Sequence, residues 1–241
     1  PKIGVTYSPR YAYLLGLNAK TTYTAMLDEL KIKQVRLPVY WDEVEQFPNK
    51  LNFNINDFYL NKALEKNVEV ILVLGYKQPR WPECFAPEWV KKLTRDKRQA
   101  KILDLVQKEV EYYKKFPNIS AWQIENEPFL SYGICDPVTD ETYQLVAKEV
   151  EIVKMSDPRP ILITDSGELG IWTNAIKLAD IFGTTLYRQT WSKILGTQTF
   201  PLPPFFYTIK DNLVRSIVGK NSRTIISELQ AEPWLADRQD P

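Results

Sequence analysis

Two glutamates each end an apolar segment with the character of a buried strand. Glu127 follows Asn126 at the end of the segment that begins at Ile119, and Glu228 ends the segment that begins at Arg223. The carboxyl ends of parallel strands lie on one rim of an α/β fold, so these side chains could face one pocket. One protonated and one ionised carboxyl group are the minimal equipment for cleaving a glycosidic bond. The sequence therefore predicts a pair of catalytic carboxyl groups.

The chain contains no histidine in its 241 residues, and this absence narrows the available chemistry. It excludes serine or cysteine nucleophiles that are paired with an imidazole base, and it argues against a catalytic zinc site, because such sites use His or clustered Cys. Proton transfer must then rest on carboxyl groups, Lys, Tyr or Cys. The nine glycines form no glycine-rich phosphate loop after any strand. We expect neither a metal nor another cofactor.

Seven apolar segments alternate along the chain with amphipathic helical patterns. The predicted strands cover residues 3–7, 34–40, 68–74, 119–125, 160–165, 180–187 and 224–228. Between them, apolar residues recur at the spacing of a helix that is buried on one side, as in the run Ile102, Leu105, Val106, Val110 and Tyr113. Regular βα repetition over this length predicts the α/β class and a (β/α)8 TIM barrel, with residues 1–241 forming a single domain.

Polar and aromatic residues follow the carboxyl ends of these strands, where the active sites of such barrels lie. The candidates for the site are Arg36, Trp41, Trp81, Asn126, Tyr187, Trp191 and Trp234. Sugar rings have apolar faces and hydroxyl edges, so flat aromatic side chains beside carboxylates and amides suit a carbohydrate groove. The four tryptophans are therefore candidate sugar platforms, although tryptophan also seals barrel cores and each of them could do so instead.

These residues resemble the catalytic pattern of the clan A glycoside hydrolases, the retaining barrel enzymes that include cellulases, mannanases and β-galactosidases. In that clan an acid/base glutamate follows an asparagine at the end of the fourth strand, as in Asn126-Glu127, and a nucleophilic glutamate ends the seventh strand, as Glu228 does. The resemblance implies that Glu127 is the acid/base and Glu228 the nucleophile. It also implies that Arg36 supports the nucleophile from the second strand and that Tyr187 hydrogen-bonds it from the sixth.

Within the clan, the residues around Glu127 resemble two different branches. The phrase from Gln123 to Glu127 is closest to the β-galactosidase branches, whereas Pro128 is more like cellulases. The resemblance implies retaining hydrolysis of β-glycosidic bonds in a polysaccharide or oligosaccharide, with cellulase-like or mannanase-like activity preferred. A β-galactosidase-like exo-enzyme and a non-catalytic glycan-binding barrel are the alternatives. A metal-dependent barrel such as a sugar isomerase is a third, against which the absence of histidine argues.

The chain departs from the clan in two respects. Many cellulase-like members place histidines near the catalytic pair, so here other groups must replace the hydrogen bonds of imidazole. Only seven residues follow Trp234, whereas another helix, an eighth strand and a closing helix need about 40 more. The sequence therefore predicts a barrel that is truncated after its seventh strand and has unpaired edges at its first and seventh strands.

The composition limits the partners of the chain. With 31 basic and 30 acidic residues the net charge is +1, and no basic stretch is interleaved with aromatics, so we expect a carbohydrate rather than a nucleic acid as the partner. No apolar run approaches the roughly 20 residues that span a bilayer. The chain begins with Pro1 rather than methionine, which fits export with signal removal or a trimmed chain, and we expect a secreted or extracytoplasmic protein.

Two cysteines, Cys84 and Cys135, are present. They are too few for a zinc cluster and too far apart in sequence for a redox pair. Two unrelated buried thiols are one interpretation. A disulfide between two adjacent loops on the active face is the other, and it would fit an oxidising compartment. The sequence leaves both open.

Overall fold

The computed structural model of the protein describes residues 2–131, 135–192 and 196–230. One predicted site residue, Trp234, lies outside the described residues. Among those that are described, no helix combines the length and the apolar character needed to cross a membrane.

Seven parallel strands form one continuous sheet that curves into a nearly closed barrel. In chain order the strands of the molecule are β1 (Gly4–Thr6), β2 (Gln34–Pro38), β3 (Glu69–Leu74), β4 (Ile119–Ile124), β5 (Ile161–Asp165), β6 (Ile181–Leu186), β7 (Gln189–Ser192), β8 (Gly196–Thr199) and β9 (Arg223–Leu229). The order in the barrel sheet is β1-β2-β3-β4-β5-β6-β9. All seven predicted strands are present within a few residues of their expected bounds, and the barrel class is confirmed.

Helices connect the strands and cover the outside of the sheet. They are α1 (Pro9–Leu14), α2 (Ala19–Leu30), α3 (Trp41–Val44), α4 (Asp57–Glu65), α5 (Arg95–Tyr113), α6 (Asp140–Ser156), α7 (Thr173–Leu178) and α8 (Pro204–Val218). Local sequence fixes where several begin: the Asn18 side chain accepts a hydrogen bond from Thr21 N at 3.0 Å at the start of α2, and Thr139 with Thr142 forms a reciprocal capping box at the start of α6.

The two faces of each strand pack into different layers. In β3, Val70 and Leu72 belong to the large cluster between sheet and helices, whereas Ile71 points into the barrel and packs with Ala121 and Leu162. The period of two along a strand produces this division. Burial on both faces explains why these strands read as continuous apolar runs in the sequence.

The barrel sheet is not closed between its first and last described strands. Within the described ranges, β1 and β9 each pair with only one neighbour. Helix α8, which precedes β9, carries an exposed apolar stripe at four-residue spacing, formed by Phe205, Ile209, Leu213 and Ile217, which are 58–67% exposed.

A short antiparallel hairpin was not predicted from the sequence. It consists of β7 and β8, with Trp191 opposite Thr197. Four-residue polar strands carry too little hydrophobic periodicity to be separated from a loop.

Cys84 and Cys135 form a disulfide that closes a sequence separation of 51 residues. Cys84 lies in the loop after β3, and Cys135 lies in the segment between β4 and α6. Of the two interpretations that the sequence left open, the disulfide between adjacent loops of the active face is therefore the one that the structure shows. It joins the loop that carries Trp81 to the loop that follows Glu127.

We expect reduction of this disulfide to lower the free energy of unfolding by about 4 kcal/mol, because a cross-link across a loop of this length restricts the unfolded chain. Urea denaturation with and without reductant measures the difference. The Cys84→Ala/Cys135→Ala double variant is the control and should be insensitive to reductant. Equal stability of the oxidised and reduced wild-type protein would contradict the expected contribution.

Candidate active site

The guanidinium group of Arg36 is the centre of the site. Arg36 lies on β2 and is 4% exposed. Its Nε donates to Gln123 Oε1 at 2.7 Å, its Nη1 to Glu228 Oε1 at 2.6 Å and its Nη2 to Asn126 Oδ1 at 2.6 Å. One planar side chain on β2 thereby fixes groups from β4, from the end of β4 and from β9. Arg36 therefore contacts both Glu228 and Asn126, and its role in supporting a nucleophile stays a prediction.

Glu228 is held in its ionised form by two donors. Besides Arg36, the hydroxyl of Tyr187 donates to Glu228 Oε2 at 2.6 Å. Burial by itself would raise the pKa of Glu228, but the positive charge of Arg36 and the hydrogen bonds from Tyr187 and Arg36 outweigh it and lower the pKa. Each carboxylate oxygen therefore accepts a short hydrogen bond while the group stays negatively charged.

Glu168 positions the backbone of Tyr187. Its Oε1 accepts a hydrogen bond from Tyr187 N at 2.9 Å and another from the hydroxyl of Tyr207 at 2.6 Å. Tyr207 belongs to α8. A chain of hydrogen bonds thus runs from α8 through Glu168 and Tyr187 to the carboxylate of Glu228, and Glu168 is a positioning residue instead of a freely solvated loop carboxylate.

Glu127 has the opposite electrostatic environment. Its side chain is 7% exposed, and Oε1 accepts one hydrogen bond, from the hydroxyl of Thr185 at 3.1 Å. Burial raises the pKa of Glu127 well above its ordinary value, and the negative charges of Glu228 and Glu83 raise it further. Two nearby carboxyl groups with pKa values displaced in opposite directions are typical of an acid and its ionised partner.

The backbone at Glu127 is strained and firmly held. Glu125 and Glu127 have positive φ angles of 55° and 43°, a region that non-glycine residues seldom adopt. Four hydrogen bonds stabilise this stretch: Glu125 N to Leu74 O at 3.1 Å, Asn126 N to Lys77 O at 2.7 Å, Glu127 N to Thr164 Oγ1 at 2.9 Å, and Lys77 Nζ to Glu127 O at 3.0 Å. The two glutamate side chains have different partners: Glu125 accepts from the backbone after β3, and Glu127 accepts from Thr185.

A buried ion pair, Lys77 with Glu83, supports the loop that carries Glu127. Lys77 Nζ lies 3.1 Å from Glu83 Oε2 and also donates to Leu130 O at 2.8 Å. Both side chains are less than a tenth exposed. The pair ties the loop after β3 to the loop after β4, and it places one positive and one negative charge where both influence the pKa of Glu127.

Glu125 has a structural role, because its carboxylate accepts hydrogen bonds from the backbone at the end of β3. Its Oε1 accepts from Tyr76 N at 2.8 Å, and its Oε2 accepts from Lys77 N. Gly75 makes this possible, because a Cβ at that position would lie 2.4 Å from Glu125 Oε1. The carboxylate thus cross-links the ends of β3 and β4.

Two further carboxyl groups are completely buried behind Glu125. Glu109 on α5 and Glu149 on α6 are both 0% exposed. Burial, followed by the charge of Glu125, raises the pKa of Glu149 well above its ordinary value. Burial also raises the pKa of Glu109, although the hydrogen bond that Gly75 N donates to Glu109 at 3.2 Å acts in the opposite direction. Burial raises the pKa of Glu125 to about 7. The fold therefore favours the protonated forms of this cluster.

We expect Glu149→Gln to stabilise the protein at alkaline pH and to change little near pH 5. A carboxyl group whose pKa is raised by folding contributes stability below its unfolded-state pKa, and this contribution is lost as the pH rises through the folded-state pKa. Glutamine keeps the shape and cannot ionise. Urea denaturation at about pH 5 and about pH 9 measures the free energy of unfolding. Glu151→Gln, at an exposed position on the same helix, is the matched control, and a wild-type advantage at alkaline pH would contradict the expectation.

The four predicted tryptophans have different positions. The platform hypothesis is wrong for Trp41: the chain enters α3 directly after β2, and the indole ring turns into the core, where it is 0% exposed and donates to Glu45 Oε2 at 2.9 Å. Trp81 is 45% exposed on the rim. Trp191 is half-buried on β7, and its platform role stays a prediction, as does that of Trp234, which the described residues do not include.

Several residues of the site were missed from the sequence. Gln123, Thr164 and Thr185 are polar residues inside apolar strands, and they point into the barrel towards Arg36 and Glu127. Each is a polar residue near the carboxyl end of an otherwise apolar strand. Because side chains alternate between the two faces of a strand, this pattern could have identified them as residues that face the inside of the barrel. Lys77 carried no such signal, because its role depends on contacts across loops.

Several solved structures of glycoside hydrolases are similar to this one. An exo-β-1,4-mannosidase from Opitutaceae bacterium strain TAV5 has a TM-score of 0.68 and 11% identity, over 95% of this chain and 45% of the mannosidase. A β-galactosidase from the psychrophilic Marinomonas ef1 has a TM-score of 0.64 and 13% identity, over 98% of this chain and 49% of that enzyme. A psychrophilic family 10 endo-β-1,4-xylanase has a TM-score of 0.61 and 14% identity, over 94% and 74%.

At these identities the likeness shows the fold alone, a barrel of alternating strands and helices like that of these glycoside hydrolases. The chain spans about half the length of the mannosidase and the β-galactosidase it matches. No protein-family sequence model matches the chain, and no curated protein has a significantly similar sequence. The relationship is therefore one of backbone architecture.

Proposed function

We propose that this protein is a retaining β-glycoside hydrolase in which Glu228 is the nucleophile and Glu127 is the acid/base. One observation carries the proposal: Arg36 and Tyr187 stabilise a negative charge on Glu228, while burial and that same charge keep a proton on Glu127. Double displacement at an anomeric carbon needs this inequality, because one carboxyl group attacks as an anion while the other donates a proton.

In the first step, Glu228 Oε attacks the anomeric carbon as Glu127 gives its proton to the departing glycosidic oxygen. A covalent glycosyl-enzyme forms, and the aglycone leaves as an alcohol. Glu228 is neutralised in this ester, so the charge that raised the pKa of Glu127 disappears. Glu127 is now ionised and removes a proton from water, whose oxygen attacks the anomeric carbon and releases Glu228 as a carboxylate. Retention requires about 5–5.5 Å between the two carboxyl groups.

The preferred substrate is a β-linked polysaccharide or oligosaccharide, with cellulase-like or mannanase-like cleavage. The similar structures described as an exo-β-1,4-mannosidase and an endo-β-1,4-xylanase support a β-1,4 linkage, and the similar β-galactosidase keeps an exo-acting galactosidase as the alternative. The Cys84–Cys135 disulfide supports an extracytoplasmic location, because disulfides persist in oxidising compartments.

A glycan-binding barrel without catalysis is the second candidate, and the 45% exposed indole of Trp81 on the rim is the observation that favours it. An aromatic side chain on the rim suits a sugar ring whether or not a bond is cleaved. Hydrolysis of an aryl β-glycoside by the protein separates the two candidates, because binding alone releases no phenol.

Glu228→Gln should reduce kcat by about a thousandfold or more and prevent accumulation of the glycosyl-enzyme, because an amide cannot act as the nucleophile. Glu127→Ala should reduce kcat by about a thousandfold on unactivated β-glycosides and far less on dinitrophenyl glycosides, whose leaving group needs no proton. Rapid-quench kinetics and intact-mass spectrometry provide the measurements. Glu111→Gln, at an exposed position on α5, serves as the control, and full turnover of an unactivated substrate by either site variant would refute the assignment.

Glu83→Gln should move the alkaline limb of kcat/KM to lower pH. The negative charge of Glu83 raises the pKa of Glu127, so its removal favours earlier loss of the acid proton, and the unpaired charge of Lys77 acts in the same direction. The pH profile of kcat/KM measures the pKa values of the free enzyme. An alkaline limb that stays in place or moves to higher pH would show that Glu83 does not influence the acid.

A further inference from the structure

The chain after β3 folds back on itself in a short segment, residues 77–84, which we call the β3 loop. Lys77 and Cys84 lie opposite each other at its base as an antiparallel pair. Next to this pair, Gln78 N donates a hydrogen bond to Glu83 O at 2.7 Å. Cys84 is one half of the disulfide, so the covalent bond leaves the loop at the residue that lies opposite Lys77.

Two residues of the β3 loop have a strained backbone. Arg80 and Glu83 have positive φ angles of 85° and 69°, a region that non-glycine residues seldom adopt. Such conformations persist only when the surrounding structure holds them. Within the loop Glu83 N donates to Arg80 O at 2.8 Å, and at its base Phe85 N donates to Tyr76 O at 3.3 Å. The disulfide adds a covalent restraint at Cys84, the residue next to Glu83.

The β3 loop carries the ion pair that borders Glu127. Lys77 Nζ lies 3.1 Å from Glu83 Oε2 and donates to Glu127 O at 3.0 Å. Both side chains of the pair are less than a tenth exposed. A displacement of the loop would therefore bring them into water and move both charges relative to Glu127. The positions of these two charges depend on the same segment that the disulfide holds at Cys84.

The other half of the disulfide belongs to a segment that is anchored on α5. Cys135 is followed by Asp136, whose carboxylate pairs with the guanidinium group of Arg98 on α5. Farther along, Val138 N donates to Ser131 Oγ at 3.2 Å. The disulfide therefore ties the β3 loop to a supported part of the chain between β4 and α6.

Charged and titratable groups from several elements surround Glu127. They include Glu228 on β9, Glu83 and Lys77 in the β3 loop, Asp165 at the end of β5 and Tyr187 after β6. Of the two groups in the β3 loop, Glu83 raises the pKa of Glu127 more than Lys77 lowers it. The net effect of the loop is therefore to favour the protonated acid.

The two catalytic carboxyl groups depend on the β3 loop to different degrees. Burial opposes the low pKa of Glu228, which Arg36 and Tyr187 produce from positions outside the loop. Arg80, which lies within the loop, lowers the pKa of Glu228 to a smaller extent. A change in the loop should therefore alter the proton affinity of Glu127 more than that of Glu228.

We propose that the Cys84–Cys135 disulfide is a positioning element for the acid/base, because it holds the β3 loop against Glu127. The inference rests on the proposed function for the role of Glu127, and it makes the oxidation state of the two cysteines a determinant of activity. With the bond intact, the acid keeps its proton to higher pH. With the bond broken, the loop moves away more often, water reaches its ion pair, and the acid loses its proton at lower pH.

The pH dependence of hydrolysis tests this positioning role. Oxidised wild-type protein, wild-type protein reduced with a dithiol, and Cys84→Ala/Cys135→Ala are assayed on an unactivated β-glycoside. In both forms without the bond the alkaline limb of kcat/KM should move to lower pH, and reoxidation should restore it in the wild-type protein. Above the optimum, kcat/KM should fall about tenfold, but less than about twofold on a dinitrophenyl glycoside, whose leaving group needs no proton. An alkaline limb that is the same in all three forms would overturn the proposal.

A variant cycle separates positioning from general loosening of the protein. The shift of the alkaline limb on reduction is measured in wild-type protein, in Glu83→Gln and in the control Glu111→Gln. It should be smaller in Glu83→Gln, because the charge through which the β3 loop acts on Glu127 is absent, and unchanged in Glu111→Gln. Equal shifts in all three proteins would show that the disulfide does not act through the loop, and the proposal would fail.

Circular dichroism establishes which of these forms are folded. If those without the disulfide are unfolded, Asp136→Asn provides the test, because it keeps the bond and removes the ion pair with Arg98. Its alkaline limb should move to lower pH. Asp104→Asn, which removes an ion pair with Lys108 on the same helix, should leave the limb in place. The same profile for both variants would overturn the positioning role.

Direct titration separates failure of this inference from failure of the proposed function. Carbon-13 NMR of protein labelled at its glutamate carboxyl groups measures the pKa of Glu127, whose signal is identified by its loss in Glu127→Gln. A lower pKa in the reduced protein than in the oxidised protein supports the positioning role even if no glycoside is hydrolysed. Equal pKa values in the two forms overturn it even if hydrolysis is found.

Discussion

The three hydrogen bonds of the Arg36 guanidinium group are the constraint on which the site depends. A buried cation is costly unless its donors are satisfied and its charge is matched, and here Gln123, Asn126 and Glu228 satisfy them. Because these partners come from β4, its end and β9, Arg36 can be buried without penalty only when the strands have their correct relative positions. Correct folding of the barrel and assembly of the charged site are therefore the same event.

The asymmetry between the two carboxyl groups follows from this arrangement. Glu228 has the guanidinium of Arg36 and the hydroxyl of Tyr187, whereas Glu127 has one hydroxyl partner, from Thr185, and a buried position. No imidazole contributes to this difference, so a chain without histidine can still hold Glu228 ionised and Glu127 protonated. The loops around Glu127 supply what remains: Lys77 holds its carbonyl oxygen, and Glu83 holds Lys77.

The sequence predicted the parts of the molecule that depend on periodicity and on strand ends. All seven barrel strands and the convergence of Glu127, Glu228, Arg36 and Tyr187 followed from where apolar runs stop. It could not predict the direction of a side chain after a strand, because the following turn decides it, and α3 turned Trp41 inward. The roles of Lys77 and Glu83 were equally hidden, since they arise from contacts between loops, and the hairpin of β7 and β8 had too weak a pattern.

The placement of Tyr207 on α8 ties the geometry of Glu228 to a helix on the outside of the barrel. Tyr207 is the outer member of the series of hydrogen bonds that runs through Glu168 and Tyr187 to Glu228, and the same helix carries the exposed apolar stripe. A displacement of α8 would therefore move the hydroxyl group that contacts Glu168 and, through Glu168, the backbone that presents Tyr187 to Glu228. The orientation of a buried carboxylate thus depends on how firmly a surface helix is seated.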